Sequence, residues 1–208
     1  MTPILYDYWR SSAAYRVRIA LNLLGQPYTS IPVNLLTGEH RAPANLARNP
    51  QGLVPTLQID DLTLTQSLAI IEYLNDTRDA AFLPAAPADR ARVRALSYAI
   101  AMEIAPVCNL STRNHAAAIS GGTITADDWV RHFMQPGLRA FEAMLSPDSR
   151  FCHGDSITMA DIVLVPQIYN ARRLGLDLTS LPRITTIMAA LEAIPAIAAA
   201  HPDQHAPA

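Results

Sequence analysis

Ser11-Ser12-Ala13-Ala14-Tyr15-Arg16-Val17-Arg18 stands where a short apolar run hands over to a helical pattern, and the reading of that handover decides the fold. Upstream, Ile4 to Tyr8 reads as a strand. Downstream, Ala14, Val17, Leu21 and Leu24 recur on one helical face, Gly25 supplies a C-terminal stop, and Tyr28 to Val33 reads as a second strand. These pieces make a βαβ unit. An irregular turn at Thr37-Gly38-Glu39-His40 and a short helix near residues 42–47 lead to Val54-Pro55-Thr56-Leu57-Gln58-Ile59, which reads as a strand. Asp60-Asp61 turns the chain back into Leu62–Leu64, and Ser67–Thr77 follows as a helix with Leu68, Ile71 and Leu74 inward. The order β-α-β-α-β-β-α defines an α/β domain over residues 1–82.

Pro84 and Pro87 punctuate the segment Arg78 to Asp89, the best linker candidate, because proline there blocks continuation of the preceding helix. Beyond it the pattern is helical: Arg90 to about His115, Asp127 to Leu145, Thr158 to Leu174, and Pro182 to Ile194. Residues 88–208 are therefore expected to form an all-helical second domain. Thr158-Met159-Ala160-Asp161 has the form of a capping box, whose hydroxyl and carboxylate satisfy free amides at a helix start and serve folding. Pro166 lies inside the same pattern and should kink or interrupt the turn. No repeat of fixed period is visible.

Bulk properties narrow the function classes. The chain has 208 residues, half of them hydrophobic and 16% charged, a balance that argues for a folded protein and against disorder. A net charge of -2 offers no basic face to neutralise phosphates, so nucleic acid is an unexpected partner. Met1-Thr2-Pro3-Ile4-Leu5-Tyr6-Asp7 has neither a basic nor a long apolar region, so secretion is not expected. The apolar stretch Ile187 to Ala200 is broken by Glu192 and Pro195 and is no membrane span. Cys108 and Cys152 are read as reduced thiols of a cytoplasmic protein.

Candidate chemistry collects at two helix starts and one turn. Ser11-Ser12 sits where unpaired amides and the helix dipole favour an anion such as a thiolate, although a serine N-cap with a purely structural role satisfies the same pattern. No G-x-S-x-G elbow is present, which disfavours nucleophilic serine. Asn49-Pro50-Gln51-Gly52-Leu53-Val54-Pro55 places proline just before a strand, compatible with a cis bond that presents the Val54 backbone to an extended ligand; an ordinary turn proline is the commoner case. Gln66-Ser67 repeats the anion-receiving logic at the next helix, where capping alone is again sufficient. The six histidines form no metal-ligand spacing, so no metal is expected. Arg172-Arg173 and Arg113-Asn114-His115 are carboxylate-binding candidates, with solvated helix faces as the alternative.

Taken together, Ser11 to Leu21, Asn49 to Leu57, Gln66-Ser67-Leu68-Ala69-Ile70-Ile71-Glu72-Tyr73-Leu74, Phe151 to Asp161 and Val165 to Arg173 resemble the zeta class of glutathione transferases. That class contains maleylacetoacetate and maleylpyruvate isomerases, and the resemblance spans nearly the whole chain. It implies a thioredoxin-like N-terminal domain, an all-helical C-terminal domain, and a homodimer that binds glutathione mainly through the first domain. Ser11 matches the serine that hydrogen-bonds the glutathione thiolate, with Ser12 and Ala13 beside it. Val54 matches the residue that pairs with the cysteinyl backbone, and Gln66 and Ser67 match the holders of the γ-glutamyl end. His40, Gln51 and Asn109-Leu110-Ser111 match further ligand contacts, while Arg10 and Arg173, with Arg113 as a third candidate, resemble the arginines that grip substrate carboxylates.

Ala13 stands where many members carry cysteine, which implies that the reacting sulfur is glutathione's own. Ala105 occupies a position that is histidine in some bacterial isomerases and glutamine in other members, and Ser111 replaces an arginine found in maleylpyruvate enzymes, which weakens the case for maleylpyruvate. The resemblance thus implies glutathione-dependent cis–trans isomerisation of a maleyl keto acid, with maleylacetoacetate ahead of maleylpyruvate. A transferase acting on α-halo acids is an alternative within the fold, and a non-catalytic glutathione-binding module is the alternative outside it.

Overall fold

Ala14 to Leu21 are buried all round and not along a single stripe, in a computed structural model that describes residues 2–207. The helix is α1 (Ser12–Leu23), and the burial follows from having neighbours on two sides, α3 (Ser67–Thr77) and α10 (Pro195–Ala199). Leu24 and Leu68, expected inside, are only half-buried, while Ile70 takes the core position beside Ile71 and Leu74. Two buried arginines, Arg16 and Arg18, lie within the same α1 run.

The sheet carries four strands in the order β2-β1-β3-β4. Strand β1 (Ile4–Asp7) pairs in parallel with β2 (Thr29–Pro32), with Ile4 opposite Thr29, and antiparallel with β3 (Thr56–Ile59), with Leu5 opposite Leu57. Strand β4 (Leu62–Thr65) returns antiparallel to β3 through Asp60-Asp61, whose φ values of 50° and 61° are those of a type I′ hairpin turn. Between β2 and β3 lie a 3₁₀ turn at Glu39–Arg41 and α2 (Pro43–Leu46), so the βαβαββα order read from the pattern is the observed one.

The chain divides into two compact units, one running to Phe82 and resuming at Glu192, the other Leu83–Leu191. This differs from a second domain running to the end of the chain. The last stretch belongs with the first unit because Arg18 Nε donates to the Ala200 carbonyl at 3.1 Å and Asn22 Nδ2 to the Ala196 carbonyl at 3.1 Å. Residues Pro202–Gln204 form a 3₁₀ turn.

In the second unit, α4 (Pro87–Tyr98) begins at Pro87 itself, since proline at a first helical position forfeits no hydrogen bond. The single helix expected to reach His115 is broken. A π-helical turn spans Ala99–Ile104, then come α5 (Ala105–Cys108), an extended Asn109 with ψ of 150°, and α6 (Leu110–Ile119). The π turn packs against α7 (Ala126–Met144), where Gly137 is required: a Cβ there would fall 2.6 Å from Ile104 Cγ1. Helix α8 (Met159–Arg173) continues through the buried Pro166, and α9 covers Pro182–Glu192. Among the described residues no helix is long and apolar enough to cross a membrane.

Candidate ligand site on the first unit

Ser11 is the N-cap of α1, with extended backbone at φ -67° and ψ 120°, and its Oγ accepts from the Ala14 amide at 3.3 Å. A hydroxyl that accepts in this way keeps its own hydrogen to give. Any anion placed there also meets the positive end of the helix dipole. Ser12 and Ala13 form the first turn of the helix and are half-buried, and the Arg10 guanidinium stacks over the Trp9 ring at 4.4 Å, adjacent in sequence to the cap.

A second cluster is built from the loops before β3 and α3. Asn49 is buried and ties its own turn together: Nδ2 donates to the Leu53 carbonyl at 3.0 Å, while Oδ1 accepts from the Gln51 amide at 3.1 Å. Gln51 Oε1 then accepts from Gln66 Nε2 at 2.7 Å. Gly52, at φ 62°, passes so close to the His40 carbonyl that a Cβ would meet it at 3.3 Å, and Asn45 Nδ2 donates to the same carbonyl at 2.8 Å. The His40 loop, Gln51 and Gln66 are thereby linked.

The Val54–Pro55 bond is cis, the isomer with which the sequence is compatible. Neither the amide nor the carbonyl of the buried Val54 is used by a hydrogen bond among the described residues. Exposed Gln66 holds φ 66°, a conformation that costs a non-glycine residue about 1–3 kcal/mol and concentrates at ligand sites. Ser67 follows as the first residue of α3, and its Oγ accepts from Arg16 Nη1 at 3.3 Å.

Arg16 is the residue that periodicity missed as a functional candidate. Its side chain is buried, Nε and Nη2 have no partner, and burial alone lowers its pKa to about 10. Burial, with help from the Arg41 charge, also lowers the pKa of His40, and its buried Nδ1 has no partner. Asn45, Asn49 and Arg16 carried a faint signal: polar residues at positions that the helical or turn pattern turns inward. The unpartnered donors of the Arg16 guanidinium fit an anionic ligand, and the carboxylates of glutathione have that chemistry.

The remaining expected contacts lie in the second unit. Asn109 forms the break before α6, so Asn109-Leu110-Ser111 open a helix instead of lying inside one. Arg113 Nη1 stands 3.7 Å from Asp127 Oδ1, with Nε buried and unpartnered, and Arg173 is exposed at the end of α8. Both cysteines are free thiols; burial raises the pKa of Cys108 to about 11 and pushes that of Cys152 well above its ordinary value, so neither supplies a reactive thiolate at neutral pH.

Against known proteins, residues 5–82 match the family model for the glutathione S-transferase N-terminal domain, and residues 134–199 match that for its C-terminal domain. A maleylacetoacetate isomerase of Rhizobium meliloti (strain 1021) is 57% identical over 208 residues, covering 98% of each chain. The holo structure of a maleyl pyruvate isomerase, a bacterial glutathione S-transferase of the zeta class, superposes with a TM-score of 0.91 at 39% identity over 96% of both chains. A maleylacetoacetate isomerase from Methylobacterium extorquens AM1 with bound malonate and glutathione gives 0.92 at 37% identity, over 99% of this chain and all of that one (100%).

Proposed function

Because the chain belongs to the zeta class of the glutathione S-transferase family, we propose that it is a glutathione-dependent isomerase converting maleylacetoacetate to fumarylacetoacetate in tyrosine breakdown. The observation that carries this reading is the set of groups left open on the first unit: the Ser11 hydroxyl hydrogen, the Val54 backbone, and Ser67 above the buried Arg16. Ser11 donates to the ligand sulfur and, with the amide end of α1, keeps it ionised. Bound glutathione supplies a thiolate whose addition to the conjugated double bond leaves a single bond free to turn.

In this assignment the Val54 amide and carbonyl pair with the cysteinyl backbone, Gln66 and Ser67 take the γ-glutamyl end, and His40 and Gln51 add contacts. Asn109, Leu110 and Ser111 contribute further ligand contacts. Arg10, Arg173 and Arg113 grip substrate carboxylates and offset the negative charge that grows on the keto acid as the reaction proceeds. Ser11, Ser12 and Arg10 are the catalytic candidates of this reading. The first unit is read as the glutathione-binding domain and the helical unit Leu83–Leu191 as the substrate-binding domain.

The active form is read as a cytoplasmic homodimer. Supporting it, α4 exposes a row of small side chains, Pro87, Ala91 and Ala95, ending at Tyr98, that suits close approach of a second copy. Sedimentation should give twice the chain mass; a monomer at micromolar concentration would remove this part of the reading.

The functional test is a side-by-side assay of the purified protein on maleylacetoacetate and maleylpyruvate, with and without glutathione. Turnover of the first that requires glutathione is expected. A higher kcat/KM on maleylpyruvate would select the pyruvate isomerase reading, and faster halide release from dichloroacetate would make the protein a transferase. No glutathione dependence on any of them would end the reading.

A further inference from the structure

Arg16 is 4% exposed, and among the described residues its one hydrogen bond runs from Nη1 to Ser67 Oγ. The Nε and Nη2 groups are buried without a partner, and no carboxylate among the described residues pairs with the guanidinium. An uncompensated buried cation is costly, so its persistence calls for an anion that the chain itself does not provide. Ser67 is the first residue of the eleven-residue helix α3, preceded by Gln66 in its left-handed conformation, so free amides and the positive end of the dipole point the same way. The hydroxyl of Ser67 has one hydrogen; with its oxygen already accepting from Arg16, that hydrogen is left to donate.

We infer that Arg16 is a positioning residue for the α-carboxylate of the γ-glutamyl group: acting through Ser67, it orients the hydroxyl and supplies the fixed positive charge beneath the start of α3. This rests on the reading of the first unit as a glutathione site, and it adds a residue that touches no ligand. Its consequence is selectivity within the ligand. The contribution of Arg16 belongs to the carboxylate alone and is absent for a ligand that lacks it.

The experiment is calorimetric titration of the full chain with three peptides: glutathione, 4-aminobutyryl-cysteinylglycine, which lacks the α-carboxylate, and glutaryl-cysteinylglycine, which keeps the carboxylate and lacks the amine. The wild type should bind the 4-aminobutyryl peptide at least tenfold more weakly than the glutaryl one. Arg16→Gln should weaken glutathione and the glutaryl peptide by about 10- to 100-fold, the loss of one charge-assisted contact, and leave the 4-aminobutyryl peptide within about twofold. Arg16→Lys should restore part of the selectivity, and Arg16→Gln combined with Ser67→Ala should lose little more than either change alone. Equal weakening of all three peptides, or none, overturns the inference. If Arg16→Gln does not fold, the wild-type ratio and Arg16→Lys decide, and a wild type that does not separate the peptides overturns it. Failure of the wild type to bind glutathione at all would remove the functional reading and this inference with it.

Discussion

Arg16 and Arg18 lie two residues apart on α1, both buried, yet their surroundings are opposite. Arg18 is fully enclosed and fully used: Nη1 meets Asp7 Oδ2 at 2.6 Å, Nη2 donates to the Trp9 carbonyl at 2.9 Å and Nε to the Ala200 carbonyl at 3.1 Å. Arg16 makes one contact at 3.3 Å and leaves two nitrogens empty. The first closes the fold on itself by clasping the last helix to α1. On the proposed reading a bound carboxylate completes the second, which would separate a charge kept for stability from one kept for a ligand.

Breaking the satisfied side should have the largest effect. Arg18→Met leaves Asp7 buried and uncompensated, and a loss of about 3–5 kcal/mol in urea-unfolding free energy is expected; a loss below about 1 kcal/mol would mean that the pair adds no more than a surface bridge. The helix cap comes next. Ser11→Ala should lower kcat by about 100-fold and raise the pKa of bound glutathione's thiol, read by its thiolate absorbance, while costing only about 1 kcal/mol of stability. Unchanged turnover and thiol pKa would return Ser11 to a purely structural cap.

On the unsatisfied side the sign should reverse. Arg16→Met removes a charge that the empty site does not repay, so the ligand-free protein should gain up to about 1–2 kcal/mol even as glutathione binding weakens. A marked loss of stability would show that Arg16 belongs with Arg18. The smallest effect is a pH dependence at the tail. Burial first, then the Arg18 charge, lowers the pKa of His205 below 6.5, against the opposing Ala199 hydrogen bond and Asp7. The unfolded chain therefore takes up the proton first, so stability should decline as pH falls through about 6.5, and His205→Gln should flatten that slope between pH 7 and 5.5.

Legibility followed the range of the interactions. The βαβαββα order, the start and end of α3, and the Asp60-Asp61 turn were readable because strand alternation, helical period and turn chemistry act within a few residues. The same holds for the capping box of α8, where Asp161 accepts from the Thr158 amide and hydroxyl, both at 2.8 Å, and from the Cys152 amide at 2.8 Å. Ser11, Val54 and Ser67 were visible as candidates at helix starts and a pre-strand proline, although the pattern by itself did not separate capping from binding. The break at Asn109 was not read from the helical period, and the packing of Ile104 on Gly137, more than thirty residues apart, was equally out of reach of a local pattern.

The sequence by itself determined the βαβαββα order of residues 1–82, the family and the helix start that carries Ser11, because propensity, period and motif are local properties of the chain. Only the tertiary structure decided which polar groups are spent and which are left over. Arg16 and Arg18 are the same residue type in the same helical run, and their roles diverge because one faces Asp7 and the returning chain end, while the other faces Ser67 and nothing else that can pair with it.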